Sequence, residues 1–256
     1  MHKKTDVFLV ATAPDLPSAQ REKLPCVRLI YRIGESGALQ RAQISLTGRG
    51  GLLGIYEAPG LSLCQPERLA RDLQAECARR GLSGVVLDLE AVGESADIVE
   101  AICAALARLQ VPHFVPEGLH ACAPEGKLIL SAAVSGGSFA QLLDTLCQTY
   151  GAERVCLDLA RVCADFSMPS YSPDGAPLSP EELDALQKTH RAEAFFSPRL
   201  CQKYFTYRKQ NGSAHFVLFD DADTAAQKLA LAEERGIGTV FLLYSEWGGV
   251  LRQLLG

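Results

Sequence analysis

From Gly51 onward, apolar runs of strand length alternate with longer runs whose apolar residues recur every three to four positions. This rhythm constrains the fold more than any other feature. Parallel strands need a crossover long enough to carry a helix, so repeated strand–helix units imply a mainly parallel α/β sheet. Residues 52–56 form one apolar run, and a helix then opens at Pro66, a favoured first helical residue. It carries Leu69, Leu73 and Cys77 on one face and stops at Gly81. Residues 85–89 read as the next strand, and Ser95 is placed to cap a helix bearing Ile98, Val99, Ile102, Leu106 and Leu109. Residues 111–115 and 127–134 read as strands, either consecutive in the sheet or forming a hairpin excursion. A helix near residues 139–146 ends at Gly151, and a strand at 154–159 follows.

The second half repeats the pattern. Ser179-Pro180-Glu181-Glu182 is a capping box with proline at the first helical position. Ser197-Pro198 is expected to open another helix, and Tyr204 to Lys209 either to line a sugar or nucleotide groove or, the commoner case, to pack its aromatics into the core at a helix end. Residues 215–219 read as a strand, 223–235 as a helix closed by Gly236, and 239–244 as a strand, with a short helix at 250–255. The N-terminal part differs: Val27, Leu29, Tyr31 and Ile33 alternate, Glu35-Ser36-Gly37 turns, and Ala42, Ile44 and Leu46 alternate again, which predicts a β-hairpin, either attached to a barrel or part of its opening strands. No Pro/Ser-rich linker interrupts the 256 residues, and about 250 residues suits one (β/α)8 barrel. The expected fold is therefore α/β: a single (β/α)8 TIM-barrel-like domain over 1–256, with residues 1–50 as an N-terminal hairpin elaboration and 51–256 as the main repeat region.

Charge narrows the partners. Lys+Arg 25 against Asp+Glu 30 leaves a net charge of −5, and no basic block suggests nucleic-acid binding. No apolar run reaches the roughly 20 residues that span a bilayer. The Met1-His2-Lys3-Lys4 start resembles a signal n-region, but the apolar stretch after Asp6 is too short for an export signal, so a cytoplasmic location is expected. Nine cysteines show no C-x-x-C spacing, which fits small buried hydrophobes in a reducing compartment. The histidines beyond the N-terminus lack H-x-H or H-x-x-x-H spacing, so neither a metal nor a cofactor is expected. The oligomeric state leaves no mark on the pattern.

Two carboxylates stand out. Asp88 and Glu90 lie two residues apart at the end of a strand, so both project to the same side. Like charges this close push one pKa up, leaving one group able to donate a proton while the other stays negative. The alternative is that one caps the following loop or pairs with a basic residue at the sheet rim. The string Val85-Val86-Leu87-Asp88-Leu89 echoes Val155-Cys156-Leu157-Asp158-Leu159, which places a second aspartate at a strand's carboxyl end, where parallel α/β folds build binding sites. Asp220 and Asp221 follow another strand and are placed either to face the same mouth or to cap the next helix.

At these residues the chain resembles glycoside hydrolase family 18, the chitinase-like barrels, whose signature is DGxDxDxE. Here Ser83-Gly84-Val85-Val86-Leu87-Asp88-Leu89-Glu90 keeps the glycine, the last aspartate and the glutamate, with Ser83 and Val86 at the first two aspartate positions. Residues 219–238 are similar to that family's seventh strand, helix and eighth strand. Ser167-Met168-Pro169-Ser170-Tyr171 is similar to its M-x-Y-D, with one extra residue and no aspartate, and Trp247 follows the last strand. The resemblance implies a retaining, substrate-assisted hydrolase of N-acetylglucosamine-containing or related glycans. It places Glu90 as proton donor and Asp88 as the stabiliser of an oxazolinium, an exception to the usual two-carboxylate scheme. Tyr171, with Met168, would hold the acetamido group, and Trp247 would offer a flat face to a sugar ring. Asp158 and Asp220 would line the carbohydrate or small-molecule site. With Val86 beneath Asp88, the other reading is a non-catalytic carbohydrate-binding or scaffold barrel. A third reading, an anion cradle at Ser135-Gly136-Gly137-Ser138, lacks a P-loop lysine.

Overall fold

Eight parallel strands close on themselves. The protein is described by a computed structural model covering residues 5–44, 50–89, 95–169 and 175–255. In chain order its first half comprises β1 (Asp6–Thr12), α1 (Leu16–Ala19), β2 (Cys26–Ile33), β3 (Leu39–Arg41), β4 (Leu52–Glu57), α2 (Pro66–Arg80), β5 (Val85–Leu87), α3 (Ala96–Arg108), β6 (His113–Pro116) and β7 (Lys127–Ser131). Next come α4 (Phe139–Tyr150), β8 (Val155–Asp158), β9 (Cys163–Met168), β10 (Ala176–Pro177), α5 (Pro180–His190), β11 (Phe195–Ser197) and β12 (Gln202–Arg208). The chain continues through β13 (Ala214–Phe219), α6 (Ala222–Glu234), β14 (Thr239–Leu243), α7 (Tyr244–Trp247) and α8 (Leu251–Leu255). The ring runs β1-β2-β4-β5-β6-β7-β8-β14 and returns to β1, every neighbour pairing in parallel. This is the (β/α)8 barrel that the alternation predicts, and β6 and β7 are consecutive barrel strands.

The barrel interior shows why these sequences close. One residue from each strand meets at its axis: Phe8, Val27, Leu52, Val86, Phe114, Ile129, Cys156 and Phe241. Phe241 packs edge-on against Phe114 with ring centroids 5.7 Å apart and lies 5.9 Å from Phe8. Large aromatics from three strands fill a space that smaller residues from the others leave open. Outside, α2 buries Leu69, Leu73 and Cys77 and ends at Gly81 in the left-handed region, φ 64°, where glycine carries no Cβ penalty. No described helix is long and apolar enough to cross a membrane.

The hairpin of residues 26–33 with β3 is part of the barrel's opening strands, since β2 pairs in parallel with β1 and β4. A register shift lies beside Leu29 and Tyr31, and β2 is buried on both faces over most of its length, as a barrel strand must be. Two other expectations need correction. No helix opens at Ser197-Pro198. Residues 195–208 instead form β11 and β12, with Phe205 and Tyr207 buried at two-residue spacing. Residues 214–219 are not a barrel strand but the centre of a five-stranded antiparallel sheet, β10-β9-β13-β12-β11, inserted between β8 and α6. One of its faces packs on α5 through Leu183, Phe205 and Val217. The capping boxes of α5 (Ser179 with Glu182) and α6 (Asp221 with Thr224) are both formed.

Candidate active site at the barrel mouth

Strand periodicity builds the mouth. Two residues beyond Val86 and Cys156, both facing the axis, come Asp88 and Asp158, so both carboxylates continue the inward line at the carboxyl ends of their strands. Most other strands put apolar residues or glycine at the same level: Val10, Leu29, Gly54, Pro116 and Leu243. A Cβ at Gly54 would lie 2.9 Å from Leu29 Cδ1, 3.0 Å from Val27 Cγ1 and 3.1 Å from Leu29 Cα, so a side chain there would crowd β2. The Asp88 N–H donates to the Ile55 carbonyl at 2.9 Å, and the Asp158 carbonyl accepts from Ala132 N–H at 2.8 Å. Ser131 is the cross-strand neighbour of Asp158.

Burial in this apolar ring raises the Asp158 pKa to about 6, and the negative charges of Glu246 and Asp88 push in the same direction. The mouth therefore gathers three carboxylates, one of which holds its proton up to mildly acidic pH. Ionising Asp158 costs the folded state what it does not cost the unfolded chain. That penalty is absent below the unfolded value of 3.8 and complete above about 6. Asp158→Asn is accordingly expected to stabilise the protein by about 1–2 kcal/mol above pH 6, with the gain fading toward pH 4. Urea denaturation at pH 7.5 and pH 4 measures both ends.

Arg161 organises the rim. Its backbone N–H donates to Glu246 Oε2 at 2.9 Å, its Nη1 donates to the Glu246 carbonyl at 3.1 Å, and its Nε donates to the Asp220 carbonyl at 3.2 Å. The guanidinium lies 5.4 Å from the centre of the Trp247 ring, a cation–π contact. A cleft of ≈ 260 Å³ opens beside it, between the loop after β7 and the inserted sheet, lined by Val134, Ser135, Arg161, Ala164 and Phe166 among others. Neither Arg161 nor Glu246 stood out in the sequence. An arginine three residues past a strand-end aspartate is a signal, but one without a recognisable partner.

The remaining expected site residues separate. Glu90 and Tyr171 lie outside the described residues. Met168 is 55% exposed at the end of β9, on the inserted sheet rather than on a barrel strand. Trp247 has no exposed surface. Its Nε1–H donates to the Leu159 carbonyl at 2.7 Å and Arg161 covers its ring, so it forms the floor under the rim rather than a face for a sugar. Asp220 is 1% exposed and does not reach the mouth. Its Oδ2 accepts from Lys228 Nζ at 2.8 Å, Val162 N–H at 3.1 Å and Gln202 Nε2 at 3.3 Å, and its Oδ1 accepts from Thr224 Oγ1 at 2.9 Å. Every oxygen is occupied by the protein, which makes Asp220 a structural anion. The cysteines are all free thiols, most of them buried, and burial raises the Cys103 thiol to about 12. Among the described residues no three His, Cys, Asp or Glu side chains gather as a metal-ligand set.

No protein-family model matches the sequence, and no curated protein is found similar to it. Solved structures do match. The spore cortex-lytic enzyme SleL of Bacillus cereus superposes with a TM-score of 0.66 at 13% identity, over 94% of this chain and 71% of that one. A chitinase from Chromobacterium violaceum ATCC 12472 gives 0.63 at 16% identity, over 98% and 99% of the two chains. A class V chitinase of Nicotiana tobaccum, solved as a mutant in complex with NAG4, gives 0.62 at 11% identity over 96% of each. Identities this low carry the fold alone, and that fold is the chitinase-like (β/α)8 barrel.

Proposed function

We propose that the protein is a glycoside hydrolase of N-acetylglucosamine-containing glycans, working by a retaining, substrate-assisted mechanism with Glu90 and Asp88. The observation that carries the reading is the position of Asp88: it continues the inward line of Val86 into a mouth shared with Asp158 and Glu246, on a barrel like those of the chitinases.

In the first step Glu90 gives its proton to the glycosidic oxygen as the bond to the anomeric carbon breaks. The carbonyl oxygen of the sugar's own acetamido group bonds to that carbon from the other side, forming an oxazolinium. The carboxylate of Asp88 faces the positive charge that develops on the acetamido nitrogen, and an oriented negative charge held at the mouth stabilises it with less reorganisation than water needs. In the second step water opens the ring as Glu90 takes back a proton, so configuration is retained. Val86, two residues before Asp88, is buried in the apolar barrel core. Asp158 shares the mouth with Asp88, and its pKa of about 6 keeps it largely neutral at mildly acidic pH. A proton held on Asp158 lessens the repulsion between carboxylates in the mouth, and the Asp88 carboxylate supplies negative charge to the oxazolinium.

Release of the chromophore from a chito-oligosaccharide reporter at pH 5–6 tests the reading. Binding of the same oligosaccharide without turnover, in wild type and in Glu90→Gln alike, would replace it with a carbohydrate-binding role.

A further inference from the structure

Arg161 carries a positive charge that its protein contacts do not neutralise. A guanidinium has five N–H donors. Of those on Arg161, Nε–H donates to the Asp220 carbonyl and one Nη1–H to the Glu246 carbonyl, both uncharged acceptors. The Glu246 carboxylate bonds to the backbone N–H of Arg161 and not to its guanidinium. Among the described residues nothing accepts from the other Nη1–H or from either Nη2–H. Arg161 is half-buried, and none of these atoms is sealed in the core, so the outer edge of the fork opens to solvent. The inner edge is fixed. The Trp247 ring centre lies 5.4 Å away, and the next residue, Val162, is hydrogen-bonded to Asp220 through both its N–H and its carbonyl. A planar fork held on one edge and free on the other is preorganised for an anion.

The cleft of ≈ 260 Å³ beside Arg161 is on the scale of a single sugar ring, and Arg161 is the only charged side chain among its described lining residues. Val134, Ala164, Phe166 and Pro177 make its walls largely apolar, and Ser135 adds a hydroxyl with no partner among the described residues. Cys163 lines it too, but burial pushes that thiol up, so it brings no negative charge. Asp88, Asp158 and Glu246, the carboxylates of the mouth, are not part of this lining. Arg161 joins the two places: its N–H is held by Glu246 Oε2 at 2.9 Å, and the Glu246 charge acts on Asp158. The rim thus divides into a negative mouth and a positive cleft.

We propose that Arg161 and Ser135 form a subsite for a carboxylate-bearing sugar unit, so that the glycan this protein takes is acidic. The inference rests on the glycan reading of the mouth and adds the class of glycan: N-acetylglucosamine in the mouth, and beside it a unit carrying a uronic acid or a lactyl ether. The carboxylate receives the free edge of the guanidinium as a pair of parallel N–H···O bonds, and Ser135 Oγ–H donates to one of its oxygens. Apolar walls on both sides keep water from the pair and strengthen it. The same unit placed in the mouth would meet the carboxylates of Asp88 and Glu246. Attraction in the cleft and repulsion in the mouth together set which of two alternating units occupies each place.

Isothermal titration calorimetry on the full chain tests this with two acidic oligosaccharides, N-acetylglucosamine alternating with glucuronic acid and N-acetylglucosamine alternating with its lactyl ether. Each is compared with its own carboxyl-reduced form. At least one acid is expected to bind at least about tenfold tighter than its reduced form, and the arm that shows it identifies the source of the carboxylate. The ratio should shrink as salt is raised. Arg161→Gln should bring the ratio to about one, and Arg161→Lys should keep part of it, since the charge remains but the fork is lost. A merely structural Arg161 would weaken acid and reduced form alike and leave their ratio unchanged. Equal binding of acid and reduced form in the wild type, in both arms, overturns the proposal, as does a ratio that persists in folded Arg161→Gln. The wild-type comparison decides the question even where a variant loses its fold. Binding requires no turnover, so a charge preference without hydrolysis removes only the hydrolase reading, and hydrolysis without a preference removes only the subsite.

Discussion

Asp220→Ala is expected to destabilise the protein by about 3–5 kcal/mol, the range for removing one partner of a buried ion pair. The Lys228 ammonium, 1% exposed, would be left without its carboxylate. Val162 N–H, Gln202 Nε2 and Thr224 Oγ1 would lose their acceptor with it. The Phe139 ring lies 5.5 Å from Lys228 Nζ, and a cation–π contact of that kind offsets only a fraction of the loss. For a chain of this length the thermal midpoint should fall by roughly 10 °C. Lys228→Met combined with Asp220→Leu should recover only the part due to the stranded ammonium, because Val162 N–H, Gln202 Nε2 and Thr224 Oγ1 still lack their acceptor. A drop of less than about 1 kcal/mol in the single variant would show that the pair does not hold the inserted sheet to α6. Were Asp220 instead a ligand for substrate, Asp220→Asn would weaken binding at unchanged stability.

Glu90→Gln is expected to abolish turnover of chito-oligosaccharide reporters, by at least about 10³-fold, since the amide cannot donate the proton that the leaving oxygen needs. Affinity for the intact oligosaccharide should stay within a few-fold, because the amide keeps the size and much of the hydrogen bonding of the acid. Asp88→Asn should lower kcat by a comparable amount by removing the charge that faces the acetamido nitrogen. Circular dichroism of each variant separates loss of chemistry from loss of fold. Full activity in Glu90→Gln would assign the proton donor elsewhere in the mouth, with Asp158 the first residue to substitute next.

The barrel was legible because its signals are local. Pro66 and Gly81 mark α2, Ser179 and Glu182 mark α5, and two-residue periodicity carries Val86 to Asp88 and Cys156 to Asp158. The inserted sheet was not legible, because antiparallel strands interrupted by Ser197-Pro198 imitate a helix start, and nothing local tells a parallel strand from an antiparallel one. The fate of Asp220 was hidden for a related reason. Its partners, Val162 of the loop before β9, Gln202 of β12 and Lys228 of α6, are far apart in sequence, and only the folded chain brings them together. Trp247 misled similarly: its place after the last strand is visible in the sequence, whereas the Arg161 that covers it approaches from the loop after β8.

The inserted sheet leaves the barrel and rejoins it at almost the same point. Asp220 N–H donates to the Val162 carbonyl at 2.7 Å, and Val162 N–H donates to Asp220 Oδ2 at 3.1 Å. Two chain ends that meet this closely give evolution a socket. Residues between them can be lengthened, shortened or exchanged with little change in the loop-closure entropy of the ring. The eight-stranded ring and the inserted module are therefore free to diverge at different rates, one held by packing and the other shaped by whatever approaches the mouth.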